Sequence, residues 1–171
     1  MDITELILSQ HHEQRRLFAA LDEVPRDDLE TLGALWRRLS AFLEVHAEAE
    51  ERYFYPAVLR LGHGAPGTDD GPEEETEDAV KDHNEIREGV RKASAHEVGT
   101  DEWWAAVREA RVATSDHMAE EEREDLADFR QHADLQTRHE IALKFIAFEA
   151  KHWAGVKPVD KEPEEYVAEN S

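Results

Sequence analysis

HAEAEER at residues 46–52 and HMAEEER at residues 117–123 share the pattern His-x-x-x-Glu-Glu-Arg, 71 positions apart. On a helix, residues i and i+4 stand on one face, so His46 pairs with Glu50 and His117 with Glu121. Each pair falls within an apolar stripe: Leu39, Leu43, Phe54 and Val58 around the first, Val107, Ala110, Thr114 and Met118 around the second. A carboxylate directed at a core costs several kcal/mol unless it is paired, protonated or bound to metal. Two such carboxylates, each one turn from an imidazole, call for a cation.

Two further segments complete the set. In KDHNEIREGV (81–90), His83 lies one turn from Ala79 and Ile86. In SQHHEQRRLF (9–18), His11 is one turn from Ile7 and borders the apolar line, whereas helical spacing turns His12 away; His11 is the choice and His12 reads as a solvated surface residue. His11 and His83 are 72 positions apart, beside the offset of 71 between the heptapeptides. The chain therefore reads as a duplicated helical hairpin, each copy giving one His from its first helix and His-x-x-x-Glu from its second. Six ligands would saturate one octahedral ion; the same six divide naturally between two ions about 3.5–4 Å apart, with carboxylates bridging. Imidazole and carboxylate without thiolate suit iron, manganese, cobalt or zinc. Ferritin-like di-iron proteins use Glu-x-x-His and more carboxylates; here the order is reversed and nitrogen is richer.

The elements that must position these residues are helices. Residues 2–23 carry a helical stripe with Asp2 as cap and Glu5 three residues on. Asp27 with Glu30 resembles a second capping box, opening a segment to about Leu61 in which Pro56 would kink the last turns. GHGAPGTDDGP (62–72) is a loop by composition. Pro72 suits the first turn of a third helix, about 73–97; Gly99 ends that stretch and a fourth runs over about 101–131. A fifth, about 134–154, carries many apolar residues, with burial within the chain preferred over a dimer surface. Four long amphipathic helices with short connections predict an all-α, up-down-up-down four-helix bundle over residues 1–154. The Pro- and Glu-rich remainder, 155–171, is expected to be a mobile acidic tail.

Composition narrows the partners. Against 20 basic residues stand 41 acidic ones, a formal charge of −21. Such a surface repels phosphate backbones and anionic lipid heads, so neither nucleic acid nor a membrane is an expected partner. Cysteine is absent, which excludes thiolate ligands and cysteine nucleophiles. The N-terminus has acids where a signal peptide needs basic residues, so a cytoplasmic location is expected.

On these residues the sequence resembles the hemerythrin-like, or HHE cation-binding, proteins: His11; His46 and Glu50; His83; His117 and Glu121, over residues 2 to about 131. The resemblance implies a hemerythrin-like fold and a non-haem di-iron centre with an oxo or hydroxo bridge and an open position for a small ligand; manganese or zinc are the alternative ions. The oxygen-carrying hemerythrins have a further histidine one turn after the first on the third helix, where this chain has Arg87, and Asp at the final carboxylate, where this chain has Glu121. These departures point away from reversible oxygen carriage. They point towards the hemerythrin-like proteins associated with oxygen or iron sensing, peroxide breakdown, nitric oxide responses or di-iron redox chemistry.

The expected function is binding or redox handling of oxygen, peroxide or nitric oxide. The alternatives are a di-iron oxidase or oxygenase acting on a small organic substrate, and a non-catalytic iron or oxygen sensor; an enzyme of this kind would be a peroxide- or oxygen-dependent oxidoreductase. The chain is expected to be a monomer or dimer. Three residues are candidates for bonding the ligands from outside: Gln14, one turn from His11, with buried polar filler the equal alternative; Tyr53, one turn past Glu50, with a half-buried edge position preferred; and Thr114, which can bond its own helix backbone. Glu51, Arg52, Glu122 and Arg123, the rest of each heptapeptide, read as surface ion pairs of little worth.

Overall fold

The computed structural model describes residues 1–65, 67 and 70–171; within the loop expected at 62–72, Pro66, Thr68 and Asp69 lie outside the described residues. Helix α1 (Ile3–Glu23) is capped by Asp2, whose carboxylate accepts from Thr4 N–H at 2.9 Å, and ends at Val24 before Pro25. Helix α2 (Leu29–Ala49) is capped by Asp28, accepting from Thr31 N–H at 3.1 Å, one residue after the cap expected at Asp27. A single π-helical turn, Glu50–Phe54, then leads into α3 (Tyr55–Leu61). The kink expected from Pro56 is thus a widened turn. Proline lacks an N–H and crowds the carbonyl four residues back, and the Tyr55 N–H reaches back to Glu50 O.

Helix α4 (Pro72–Ser94) begins on its proline with three glutamates in the first turn, where the helix dipole favours them. Gly99, at φ +87°, reverses the chain before Thr100 caps α5 (Asp101–Arg123). The fourth helix, expected as one piece to about 131, breaks at Glu124 (φ −108°, ψ −83°) and resumes as α6 (Asp125–His132). Helix α7 (Leu135–His152) packs against α1 and α2. Instead of a tail without structure, the C-terminal segment contains α8 (Pro163–Asn170), with Tyr166 and Val167 buried against α3 and α4. Two apolar residues make too short a pattern for helical periodicity to register.

The result is an all-α bundle, with α1, α2 with α3, α4, and α5 with α6 as its four legs; there is no strand among the described residues. None of its described helices is long and apolar enough to cross a membrane. Its core is in two parts. One apolar cluster gathers Ile3, Ile7, Phe54, Val58, Phe129, Phe145 and their neighbours. The other gathers Leu17, Leu39, Trp36, Ile86, Trp103 and theirs. Between them lies a buried polar layer that contains every histidine singled out from the sequence.

Candidate metal centre

Each leg delivers its side chains to this layer by simple register. The stripe Ile3, Ile7, His11, Gln14, Leu17, Phe18 and Leu21 of α1 is buried throughout, so His11 enters at core depth while His12 stays on an outer groove between α1, α2 and α7. His46 and Glu50, His83, and His117 and Glu121 arrive likewise. All six residues are between 0% and 3% exposed.

Glu50 stands at the middle. Its Oε1 lies 2.8 Å from His46 Nε2 and its Oε2 3.2 Å from His83 Nε2. His11, His46 and Glu50 form one group of ligand atoms within mutual reach; Glu50, His83 and His117 form the other. Glu121 Oε2 lies 3.2 Å from His11 Nε2. His83 Nε2 and His117 Nε2 face each other at 3.1 Å.

His83 and His117 share a hydrogen bond across this gap, but the other atoms are close without being aligned for hydrogen bonds. His11 Nε2, His46 Nε2, both oxygens of Glu50 and Glu121 Oε2 are buried with no hydrogen-bond partner. Leaving a buried polar atom unsatisfied costs about 1–3 kcal/mol, so five of them converging on one place need a common partner. Lone pairs of imidazole and carboxylate pointing at shared positions fit a metal ion, and the donor set of nitrogen and oxygen without sulfur fits a first-row divalent metal.

The other nitrogen is hydrogen-bonded in three of the four imidazoles, and that of His117 faces a carboxylate at longer range. His11 Nδ1 lies 2.9 Å from Glu122 Oε1, His83 Nδ1 2.8 Å from Glu51 Oε1, His46 Nδ1 2.7 Å from Gln10 Oε1, and His117 Nδ1 3.7 Å from Asp82 Oδ2. Ligand histidines characteristically donate this second N–H to a carboxylate or carbonyl, which fixes ring orientation and tautomer. The arrangement obeys the repeat. The residue before each first-helix histidine, Gln10 or Asp82, lies beside the second-helix histidine of its own hairpin, bonded to it in the first hairpin and 3.7 Å away in the second. The residue after each motif glutamate, Glu51 or Glu122, holds the first-helix histidine of the other hairpin. An arginine four residues past each first-helix histidine joins it: Arg87 Nη2 donates to both oxygens of Glu51 at 2.8 Å, and Arg15 Nη1 lies 2.8 Å from Glu122.

This corrects the reading of Glu51 and Glu122 as surface pairs. Glu51 is buried and also meets Lys161, and its backbone carbonyl accepts from the Tyr166 hydroxyl. Glu122 is partly exposed but bonds a fully buried imidazole. The missed signal was the second Glu of the repeated heptapeptide, together with Arg15 and Arg87 at the same 72-residue offset as His11 and His83.

The outer candidates fare unevenly. Gln14 is buried in the layer with its Nε2 unpartnered. Thr114 Oγ1 donates to Ala110 O in its own helix at 2.7 Å. Tyr53 is outside the centre, half-buried with its ring 6.0 Å from that of Phe148. The tyrosine that reaches the centre is Tyr55, whose hydroxyl donates to Glu121 Oε1 at 2.9 Å. The π-turn adds one residue to the turn after Glu50, so the side chain that faces inward falls later than α-helical spacing predicts.

Electrostatics keep Glu50 charged. Burial raises the pKa of Glu50, but His46 and His83 outweigh it and hold the group well below the usual carboxylate range. Burial lowers His11 and His83, and Glu121 with Glu122, and Glu50 with Glu51, more than reverse this, to about 9 in each case. Burial and the nearby Glu121 and Glu50 push the Tyr55 phenol upward, so it stays a donor. Without metal, protons on His11 and His83 balance the layer; a cation would replace them.

Comparison with known proteins follows the same residues. A family model described as the hemerythrin HHE cation binding domain matches residues 2–129. A Nostoc sp. (strain PCC 7120) protein named "DNA nickase" is 26% identical over 153 residues, covering 88% of this chain and 40% of that protein. The chain therefore spans less than half the length of that relative. No solved structure matches the chain significantly.

Proposed function

Starting from the fact that the chain belongs to the hemerythrin HHE cation-binding family, we propose that it holds two iron ions in the polar layer and there binds or redox-processes a small ligand: oxygen, peroxide or nitric oxide. The observation that supports this most is Glu50, set between the pair His11 and His46 and the pair His83 and His117. That is the arrangement a bridging carboxylate needs. Four imidazoles and two carboxylates shared between two ions leave coordination positions for a ligand. Iron held there would supply electrons and Lewis acidity. The protein's part is to fix the rings through Nδ1, keep Glu50 ionised, and exclude bulk water.

Size weighs against an organic substrate. The cavity that reaches His117 and Glu121 has room for about one water-sized particle, ≈ 20 Å³. Drug-sized ligands occupy clefts of about 300–1,000 Å³. A diatomic molecule or peroxide fits where a metabolite does not.

The relative named a nickase raises a second reading, phosphodiester cleavage on a two-metal site. Two features weigh against it in this chain. The six candidate ligands are enclosed by helices, and a net charge of −21 repels DNA. Metal-loaded protein should leave supercoiled plasmid intact; conversion to open circles would favour the nickase reading.

Anaerobic loading with ferrous iron, followed by metal analysis, should give about two irons per chain. Fewer than about two, or zinc alone after iron-replete expression, would overturn the di-iron reading. Steady-state consumption of peroxide or oxygen by the loaded protein then separates an enzyme from a sensor.

A further inference from the structure

Beside the polar layer, between α4 and the junction of α5 with α6, lies a narrow cavity that ends on His117 and Glu121. Among the described residues, eight of the ten that line it are carboxylates and none is Lys or Arg. Near its inner end are Glu75 and Asp125, 5% and 3% exposed. Glu75 Oε1 accepts from the Ala65 N–H at 2.8 Å, while Glu75 Oε2 and Asp125 Oδ1 are buried with no hydrogen-bond partner. At its outer end stands the exposed Glu120.

Buried carboxylates are ordinarily paired or hydrogen-bonded. Here two of them present bare oxygens to a space lined by further acids, and that space leads to the ligands of the metal centre. An apolar replacement would pack there at lower cost, so the acids need a reason. The charge sign selects a cation, and all-oxygen donors select a hard or borderline divalent one. The volume, ≈ 20 Å³, is that of about one water-sized particle, so a metal ion entering it must exchange most of its hydration shell for carboxylate oxygen. Acid-lined clefts raise local cation concentration and association rates by about 10- to 1,000-fold.

We infer that Glu75 and Asp125 form a transit site for divalent metal, binding an ion on its way from the Glu120 mouth to the His and Glu ligands. This rests on the reading of the polar layer as a metal centre. The six candidate ligands are buried and the acidic cavity reaches two of them, His117 and Glu121, so it is a route by which a hydrated cation can shed water in steps.

The test is cobalt(II) uptake by the metal-free full-length protein, followed by stopped-flow visible absorbance and by final stoichiometry. The double variant Glu75→Gln with Asp125→Asn should reach the wild-type stoichiometry about tenfold or more slowly. Glu120→Lys, at an exposed position that does not affect folding, should also slow loading, and its effect should shrink as salt is raised to about 0.15 M. Unaltered rates in the variants, with normal final binding, would overturn the transit site and leave the metal centre standing. If the double variant does not fold, an unaltered rate in Glu120→Lys overturns it alone. Failure of the wild type to bind about two cobalt ions would remove the centre and the transit site together.

Discussion

Leu17 and Leu39 fill, in the first hairpin, the level that Gly89 and Ala110 occupy in the second (17 + 72 = 89; 39 + 71 = 110). The consequence is visible in the packing. A Cβ placed on Gly89 would stand 2.7 Å from the Ala110 backbone, so α4 and α5 lie against each other far more extensively than α1 and α2 do. The first hairpin is instead spread, and α7 packs against both its helices, bringing Phe145 to 6.0 Å from the His46 ring. The supports differ too. Glu51 and Arg87 are sealed and reinforced by Lys161, whereas Glu122 and Arg15 are partly open to water. The two hairpins thus keep the same ligand positions and the same cross-over of Nδ1 partners while everything around them has diverged. What the repeat preserves is the placement of the histidines and glutamates in the layer, and helix spacing is free to vary around it.

The comparison breaks most sharply at the two motif glutamates. Glu50 serves both histidine pairs, and Glu121 lies by His11 alone among them. Glu50→Ala should abolish metal uptake, while Glu121→Ala should retain about one ion per chain; equal losses by metal analysis would show the two carboxylates to be equivalent. Next come their neighbours. Glu51→Gln leaves Arg87 and Lys161 facing no buried anion and should cost about 3–5 kcal/mol in denaturant unfolding. Glu122→Gln, at a half-open pair, should cost about 1 kcal/mol or less. Both should weaken metal binding by about 10- to 100-fold, because both hold an imidazole. A reversed order of stabilities would sink the distinction between a sealed and an open support.

Gly89→Ala should destabilise by about 1–3 kcal/mol through overpacking, more than the roughly 1 kcal/mol that alanine gains over glycine in a helix. Thermal unfolding of that variant decides whether the close approach is obligatory; a rise in stability would mean that α4 and α5 can part. The smallest effect is on pH dependence, and it concerns both hairpins at once. His11 and His83 sit at about 9 against 6.5, so in the metal-free chain their contribution is complete below about 6.5 and is lost as pH rises through 9. Glu51 and Glu122 sit at about 2 against 4.5, so theirs is complete above 4.5 and is lost as pH falls towards 2. Metal-free protein should therefore be most stable near pH 4.5–6.5. Metal-loaded protein should keep its stability on the alkaline side, where the cation stands in for the protons. Identical alkaline loss in both forms would contradict the exchange of protons for metal.

The bundle was legible because apolar residues recur at helical spacing over four long stretches, and the caps at Asp2 and Thr100 mark two of their starts. His11, His46, Glu50, His83, His117 and Glu121 were legible as a group because polar residues on an apolar stripe stand out, and the duplication marked them twice. The partners were harder to see. Glu51 and Glu122 sit one residue off the stripe, and in a chain with 41 acids an extra glutamate carries little information until its Nδ1 partner is in view. Tyr55 was hidden by a local change of period. Regular spacing selects Tyr53, and only the π-turn ahead of Pro56 brings Tyr55 inward. The helix at Pro163–Asn170 was invisible because its burial depends on contacts with residues far away in the chain, such as Glu51 and Asn84.

The polar layer divides the core into two apolar halves that meet across it. A cation held in that plane touches side chains from all four legs, so its binding energy is also cohesion between the halves. Taken away, it leaves a polar seam balanced only by protons on His11 and His83, where most proteins keep their densest packing. The lifetime of the folded chain would then rise and fall with metal supply, and abundance alone would carry information about that supply without any dedicated reader.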